Sequence, residues 1–218
     1  MRQAKSPLSA LADQLIQLSR GRSCSAFFVT GTDTAVGKTR VACLLLEEFH
    51  RRGILSAGFK PICCGDRDDA RRLQQAGSTP VPLDLVNPIH LSKPVAPVSQ
   101  PCPPWRTLLR CTQSALASHR RAGIRLILVE GAGGLLCPVT RRYTMRDLAS
   151  ALNLPVIIAA RDRLGVLNHS LLTIEAARAA GLKCVALVLN RFQARADASS
   201  SSNGKVLERL VSVPVYRL

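Results

Sequence analysis

The sequence is short of aromatic residues, short of acids and free of long apolar runs, and each shortage excludes something. Aromatics make up 4% of the 218 residues. The core must therefore come from Leu, Val, Ile and Ala, a palette that suits parallel strands buried on both faces. No apolar run approaches the ~18–20 residues that a helical membrane span needs, and the most apolar stretches are strand length. Residues 1–25 contain no apolar core segment of a secretory signal. The eight Cys (24, 43, 63, 64, 102, 111, 137 and 184) include no Cys-x-x-Cys pair and no Cys/His metal spacing. That pattern argues for a reducing cytoplasm. Cys43 in a helix and Cys184 in a strand are expected to serve as small apolar side chains.

Acids number 14 against 30 basic residues, a net charge of +16. Lys occurs at only six positions, so the excess is carried by Arg. The Arg are scattered, with pairs at 51–52, 71–72, 120–121 and 141–142, and no aromatics are interleaved among them. A nucleic-acid binder concentrates its charge and adds stacking residues. This distribution reads instead as a basic surface around a site for anionic ligands. With 47% hydrophobic residues, the chain has the length and composition of one globular domain.

What is there begins at residues 27–39. The run Phe27-Phe28-Val29 enters a loop that closes on Gly37-Lys38-Thr39, and an amphipathic run follows from Val41. Strand, glycine loop and helix in that order hold a nucleotide phosphate chain. Backbone N–H groups and the positive helix end face the phosphates, Lys supplies a point charge and the Thr hydroxyl can ligate Mg²⁺. The general motif has four residues between its first Gly and Gly-Lys. Here five separate Gly31 from Gly37, with Thr32 in the usual Gly position.

The remaining pattern alternates strands with helices. Expected strands are 24–30, 55–60, 125–130, 155–160 and 183–189, with a strand-like tail at 213–216. Expected helices are 38–52 (apolar face Val41, Leu44, Leu45, Phe49), 69–76, 105–122, 144–152, 166–180 and 203–211. Residues 61–68 and the proline-rich 78–104 read as loops, and Ser/Ala-rich 193–204 as a mobile stretch. Residues 1–22, with Leu8, Leu11, Leu15, Ile16 and Leu18 at helical spacing, read as a basic N-terminal extension before a single domain at 23–218. An amphipathic leader helix and an organelle transit peptide are the alternatives there. The alternation predicts an α/β fold, a P-loop NTPase-like parallel sheet with helices on both faces. Right-handed crossovers then gather the loops at 31–39, 60–69, 130–134, 161–165 and 190 along one carboxyl edge.

Along that edge, Mg²⁺ bound beside phosphates takes one or two carboxylates. Glu130 ends an apolar strand, where a carboxylate is costly unless used or paired. Asp66, Asp68 and Asp69 are further candidates, with helix capping the alternative reading of Asp68. Lys60, in a chain that otherwise chooses Arg, offers a compact point charge at a strand end.

Taken together, Gly31-Thr-Asp-Thr-Ala-Val-Gly-Lys-Thr39, Gly58-Phe-Lys-Pro61, Asn87-Pro88, Pro94-Val-Ala-Pro97, Val129-Glu-Gly-Ala-Gly-Gly134, Leu154-Pro-Val-Ile-Ile158, Leu164-Gly-Val-Leu-Asn-His169 and Asn190 resemble the dethiobiotin synthetase family in order and spacing. The five-residue gap is that family's own form. The resemblance implies ATP- and Mg²⁺-dependent carboxylation of 7,8-diaminononanoate by CO₂, with ring closure to dethiobiotin. It implies a nucleotide site at Gly31, Thr32, Asp33, Thr34, Ala35, Val36, Gly37, Lys38 and Thr39, and Mg²⁺ held by Thr39, Asp69 and Glu130. Lys38, Lys60 and Thr34 would act on the transferring phosphate and the carbamate, and Asn190 would read adenine. Lys60, Cys64, Gly133, Gly165 and Asn168 would contact the substrate. Gly165 and Asn168 would do so from the partner subunit of a homodimer. The chain departs from the family pattern at Ala35 (often Glu), Cys64 (Ser), Arg163 (often Lys) and Arg191 (often an acid). Relatives also continue past the last strand to cover the adenine. Competing readings are a partition-type P-loop ATPase that binds DNA, which would carry an extra lysine early in the loop, an amidoligase of corrinoid synthesis, which needs a further domain, and a degenerate member of weak activity. Lys38→Ala and Glu130→Ala are expected to abolish turnover with the fold intact.

Overall fold

A computed structural model of the chain describes residues 5–191 and 198–218. Six parallel strands form the central sheet in the order β2-β5-β1-β6-β7-β8. They are β1 (Ser25–Gly31), β2 (Ser56–Phe59), β5 (Leu126–Glu130), β6 (Val156–Arg161), β7 (Cys184–Asn190) and β8 (Val215–Arg217). A small parallel pair, β3 (Ile62–Cys64) with β4 (Ile89–Leu91), stands beside it. The helices are α1 (Pro7–Leu18), α2 (Lys38–Arg51), α3 (Asp68–Ala76), α4 (Leu83–Val86), α5 (Trp105–Arg121), α6 (Met145–Ala151), α7 (Val166–Ala179) and α8 (Asn203–Leu210). Every residue of β1, β2 and β5 is buried. Alternate side chains feed two cores, with Phe28, Ile127 and Val129 in one and Phe27, Val29 and Leu128 in the other. That two-faced burial is why these strands read as continuous apolar runs without polar alternation.

The α/β expectation is met, and the long elements fall within one or two residues of their expected bounds. Short ones differ. Residues 61–68 contain β3, and 78–104 contain α4, β4 and a 3₁₀ turn at Pro97–Ser99. Elements of three or four residues carry no measurable period. What orders them is tertiary: the buried Asn87 amide donates to Lys60 O at 2.9 Å and to Ile89 O at 3.0 Å. On α2 the buried face is wider than expected, taking in Ala42 and Leu46 as well as Val41, Leu45 and Phe49, while Leu44 is half-buried. The helix is covered by the sheet on one side and by α1 and α3 on the other. Part of the expected mobile stretch, residues 192–197, lies outside the described residues; Ala198–Ser201 form a 3₁₀ turn and Asn203 starts α8.

The stretch set apart as an extension contains α1, which is packed rather than free. Ser6 caps it and Pro7 takes its first turn, the residue types that start helices. Leu11, Ala12 and Leu15 are fully buried. Gln14 donates to Val185 O at 2.8 Å and accepts from the Tyr216 hydroxyl at 2.5 Å, tying α1 to β7 and β8.

Register positions the chemistry. Val29 pairs with Glu130, Gly31 with Ala159 and Arg161 with Asn190, so these carboxyl ends lie side by side. After β1 the chain runs outward to β2, while β6 pairs on the other side of β1. That reversal opens the crevice in which open α/β sheets hold ligands.

Candidate active site

The phosphate loop is shaped by close approach. A Cβ on Gly31 would lie 2.7 Å from both Asp33 O and Val36 Cγ2, so no other residue fits there without movement. Gly37 caps α2 in the left-handed region at φ 92°, which glycine adopts at no steric cost. Ala35 sits there too, at φ 54°. The Asp33 carboxylate accepts from Thr34 N at 2.7 Å. Leu135 N donates to Gly31 O at 3.2 Å, locking the glycine run after β5 onto the loop.

Four side chains converge where α2 begins. The Thr39 hydroxyl lies 2.8 Å from Asp69 Oδ1 and 2.9 Å from Glu130 Oε1. Lys60 Nζ donates to Asp69 Oδ2 at 2.8 Å and to Glu130 Oε1 at 2.5 Å. Glu130 is fully buried and Lys60 nearly so. Burial alone would lower the Lys60 pKa, but the Glu130 and Asp69 carboxylates outweigh it and push it up. Burial would raise Asp69, and the Lys60 charge holds it below the usual carboxylate range. Lys38, also buried, has its Nζ 3.2 Å from Asp33 O. Desolvation lowers its pKa, Glu130 opposes that and Lys60 adds to it. A buried lysine with a carbonyl for company is a cation short of an anion.

Glu130 Oε2 is buried with no hydrogen-bond partner. A buried carboxylate oxygen without a partner needs an explanation, and beside the phosphate loop an ion is one that fits. Beside it stand a Thr hydroxyl and the Asp69 carboxylate. Among the described residues no three His, Cys, Asp or Glu side chains cluster as a metal cage. A donor set of two carboxylates and a hydroxyl suits Mg²⁺, which keeps waters and shares phosphate oxygens, and does not suit Zn²⁺. Asp66 and Asp68 do not join it. Asp66 accepts from Asp68 N at 3.0 Å, and exposed Asp68 pairs with Arg71 at 2.8 Å.

These groups line a cleft of about 730 Å³ with Thr34, Ala35, Gly37, Cys64 and Gly133. Burial pushes the Cys64 thiol up to about 11, so it is a neutral contact at pH 7. A second cleft of about 420 Å³ shares Thr34 and Gly133 and continues along His169, Leu172 and Thr173 of α7. Gly165 and Asn168, at the start of α7, are exposed and line neither cleft of this protomer. Asn190 is fully buried. Its Nδ2 donates to Val36 O at 2.9 Å and its Oδ1 accepts from Arg40 at 3.0 Å. The amide thereby ties the end of β7 to the phosphate loop. Sequence reasoning missed Arg40 and Arg72 on the cleft wall. Arg40 had a signal, since it immediately follows Lys38-Thr39; Arg72 had none.

A sequence model of the AAA domain family matches residues 25–216. The chain is 36% identical over 194 residues to the ATP-dependent dethiobiotin synthetase BioD of Akkermansia muciniphila, covering 87% of this chain and 89% of that protein. Against the protein of the same name from Anaeromyxobacter dehalogenans it is 41% identical over 189 residues, covering 84% of each. Against that of Aeromonas hydrophila it is 42% identical over 176 residues, covering 77% and 78%. Among solved structures it is similar to the kinase domain of the Escherichia coli tyrosine kinase ETK, with TM-score 0.60, 14% identity and coverage of 88% of this chain and 76% of that one. It is also similar to the signal recognition particle receptor FtsY from Elizabethkingia anophelis, with TM-score 0.58, 12% identity and coverage of 95% and 63%. At those identities the two structures speak to the fold alone.

Proposed function

We infer the function from one premise: this chain belongs to the dethiobiotin synthetase family. It is an ATP-dependent ligase of biotin biosynthesis, a dethiobiotin synthase. In the reaction, one amine of 7,8-diaminononanoate captures CO₂ as a carbamate, ATP phosphorylates the carbamate oxygen, and the second amine displaces phosphate to close the cyclic urea. Dethiobiotin, ADP and phosphate leave.

The observation that carries this reading is the convergence of Lys60, Thr39, Asp69 and Glu130 beside the phosphate loop, with one Glu130 oxygen unmet. We assign the roles as follows. Residues 31–39 cradle the triphosphate, with Lys38 at its terminal phosphates. Lys60 neutralises charge between the transferring phosphoryl group and the carbamate, and Thr34 adds a hydrogen bond from the shared wall of the two clefts. Phosphoryl transfer of this kind depends chiefly on positioning and charge neutralisation. Mg²⁺ would be held by Thr39, Asp69 and Glu130, and when bound it neutralises charge on the phosphate oxygens. Cys64 and Gly133 border the substrate.

A homodimer fits the placement of the remaining groups. Gly165 and Asn168 cannot serve the cleft of their own protomer from where they stand. Around them Leu164, Leu172 and Leu136 are 78%, 57% and 52% exposed. A second copy on this face would cover those leucines and bring the α7 N-terminus to the substrate carboxylate, for which a helix start is a good site. Eight free thiols suit a cytoplasmic protein, and no described helix is long and apolar enough to cross a membrane.

The test is ADP release with ATP and Mg²⁺, with and without the diamine and bicarbonate. The expected result is release that requires both. Release that ignores the diamine and rises with DNA would replace this reading with a partition-type ATPase. No release from a folded protein would identify a degenerate member.

A further inference from the structure

We propose that a third cleft, at the amino edge of the sheet, binds a small aliphatic carboxylate, holding its negative head on arginines and its chain on an apolar floor. The cleft shares no residue with the catalytic site and does not depend on the ligase reading above.

It has a volume of about 600 Å³ and forms where three chain reversals meet. One wall is the end of α1 with the turn after it, the second the link from α2 to β2, and the third the link from α5 to β5. A left-handed glycine turns the chain in each reversal, Gly21 at φ 76°, Gly53 at 69° and Gly123 at 79°. Leu126, which lines the cleft, starts β5, and Glu130 ends it, so about 13 Å of strand separates this cleft from the catalytic edge.

The charges on its walls have one sign. Arg20, Arg22 and Arg125 line it and no acid does. None of the three forms an ion pair with a described residue. Asp13 and Glu48, on the adjoining helices, are already taken up by Lys5, Arg51 and Arg52. Helix ends account for part of the positive charge. α5 carries His119, Arg120 and Arg121 in its own last turn, and α2 carries His50 and Arg51, whereas α1 carries no basic residue there. Even with all three helix ends counted at about half a negative charge each, three guanidiniums leave an excess of about one and a half positive charges. That excess suits a single carboxylate, which a guanidinium meets with two parallel hydrogen bonds.

Between the charges the walls are apolar, formed by Ile16, Ile54, Leu55 and Leu126. Leu55 is 46% exposed, so a chain laid against it would remove apolar surface from water. The polar groups of these walls are engaged elsewhere. Ser19 Oγ donates to Leu15 O at 2.8 Å, and Leu55 O accepts from Arg125 N at 2.8 Å and Leu126 N at 3.2 Å. A sugar or a peptide would find few hydrogen-bond partners here. An aliphatic carboxylate needs none beyond its head.

The probe is octanoate, titrated calorimetrically into the full chain without nucleotide, with hydrogen exchange of the same mixture read peptide by peptide. A Kd of about 0.1–1 mM is expected, with protection in residues 16–23 and 53–55. Hexanoate, two methylenes shorter, should bind about tenfold more weakly. Arg22→Met combined with Arg125→Met should weaken octanoate by about tenfold or more. Both side chains are exposed, so the thermal melt should hold. Leu55→Asp, on the floor, should weaken octanoate as much and keeps the proposal testable if the double variant does not fold. No binding, or octyltrimethylammonium binding as tightly as octanoate, would overturn the proposal. Inorganic phosphate binding as tightly would also overturn it, leaving only a basic surface. Protection confined to residues 31–39 and 165–173 would overturn it by placing octanoate at the catalytic edge. Diamine-dependent ADP release tests the ligase reading separately, and neither result decides the other.

Discussion

Two clusters of charge flank α2, and they are built to different standards of completion. At the amino edge of the sheet, where α2 ends, Arg52 donates to Glu48 Oε1 at 2.6 Å, to Asp13 Oδ1 at 2.5 Å and to Ser9 Oγ at 2.9 Å, and Arg51 also bonds to Glu48. Glu48 is buried with both oxygens engaged, and the cluster fastens α1 to α2. At the carboxyl edge of the sheet, where α2 begins, Lys60, Asp69, Glu130 and Thr39 are equally close-knit, but Glu130 Oε2 has no hydrogen-bond partner and Lys38 has a single carbonyl. A satisfied cluster holds a fold together. One with a buried carboxylate oxygen open, on the wall of a cleft, has room for an ion. The difference lies in the accounting of hydrogen bonds, since both clusters contain the same kinds of residues.

The largest effect should come from breaking the incomplete cluster. Lys60→Met leaves Glu130 buried without its cation, a loss of about 3–5 kcal/mol, and turnover should vanish. Glu130→Ala leaves Lys60 with Asp69 alone, so the expectation that this variant keeps its fold intact does not suit a fully buried carboxylate. Glu130→Gln keeps the shape and removes the charge. It should fold and lose about 10²–10³-fold or more in kcat, read by diamine-dependent ADP release beside a circular-dichroism melt. Lys38→Ala should lose as much activity with a smaller loss of stability, because its ammonium feels Glu130 and Asp69 only through space and hydrogen-bonds a carbonyl. A Glu130→Gln enzyme within tenfold of wild type would show that the open oxygen is not functional.

Arg52→Met tests the complete cluster. It strands Glu48, but Arg51 remains and Arg52 keeps 21% of its side chain exposed. The cost should be about 2 kcal/mol, a fall in Tm of roughly 4–8 °C at this chain length. KM and kcat should stay at wild-type values. If catalysis falls while the Tm holds, the division of labour is wrong.

How far the sequence announced this contrast depends on the range of the interactions. The carboxyl-edge cluster was legible because Lys60 and Glu130 end strong apolar strands and Lys38-Thr39 opens a strong amphipathic helix. Parallel topology then has one place to bring strand ends. Asp69 was legible only as one of three acids, since the choice among Asp66, Asp68 and Asp69 depends on where the first turn of α3 points. The amino-side cluster was not legible. Asp13, Glu48 and Arg52 are ordinary surface residue types, and nothing local says that α1 will lie across α2. The pairing of β3 with β4 was hidden for the same reason, joining three-residue segments through a buried Asn87. The contact between Asn190 and Arg40 was not legible either, because it spans 150 residues of sequence.

A third polar group lies in neither cluster and gives a pH probe of the scaffold alone. His119 is buried on α5 against Phe59, with ring centroids 5.5 Å apart. Its Nδ1 faces Ala115 O at 2.8 Å, so Nδ1 carries the proton, and Nε2 has no partner. Burial depresses its pKa below the ordinary 6.5, against the smaller opposing effect of the Ala115 carbonyl. The folded state therefore binds this proton less readily than the unfolded state. Its contribution is full above 6.5 and is lost as pH falls from there through the folded pKa. The slope is at most about 1.4 kcal/mol per pH unit. His119→Leu should flatten the Tm-against-pH curve between about pH 5 and 6.5. An unchanged curve would show that the carboxylate clusters alone set acid stability.

The smallest expected effect lies inside the phosphate loop and asks whether the incomplete side is also the strained side. Ala35 is held at φ 54°, one of two non-glycine residues in the left-handed region among those described. A Cβ in that region costs about 1–2 kcal/mol. Ala35→Gly removes that cost but gives the unfolded chain about 0.4–1 kcal/mol more entropy to lose. The net gain should be about 0.5 kcal/mol, a rise in Tm of one or two degrees at most. Nucleotide affinity should move the other way. A glycine there leaves the empty loop freer, and the loop must be ordered again when phosphate binds. A thermal melt and a nucleotide titration on the same variant thus give opposite signs if the loop is held in a costly conformation in readiness for its ligand. If both fall together, Ala35 is a packing residue and the strain serves nothing.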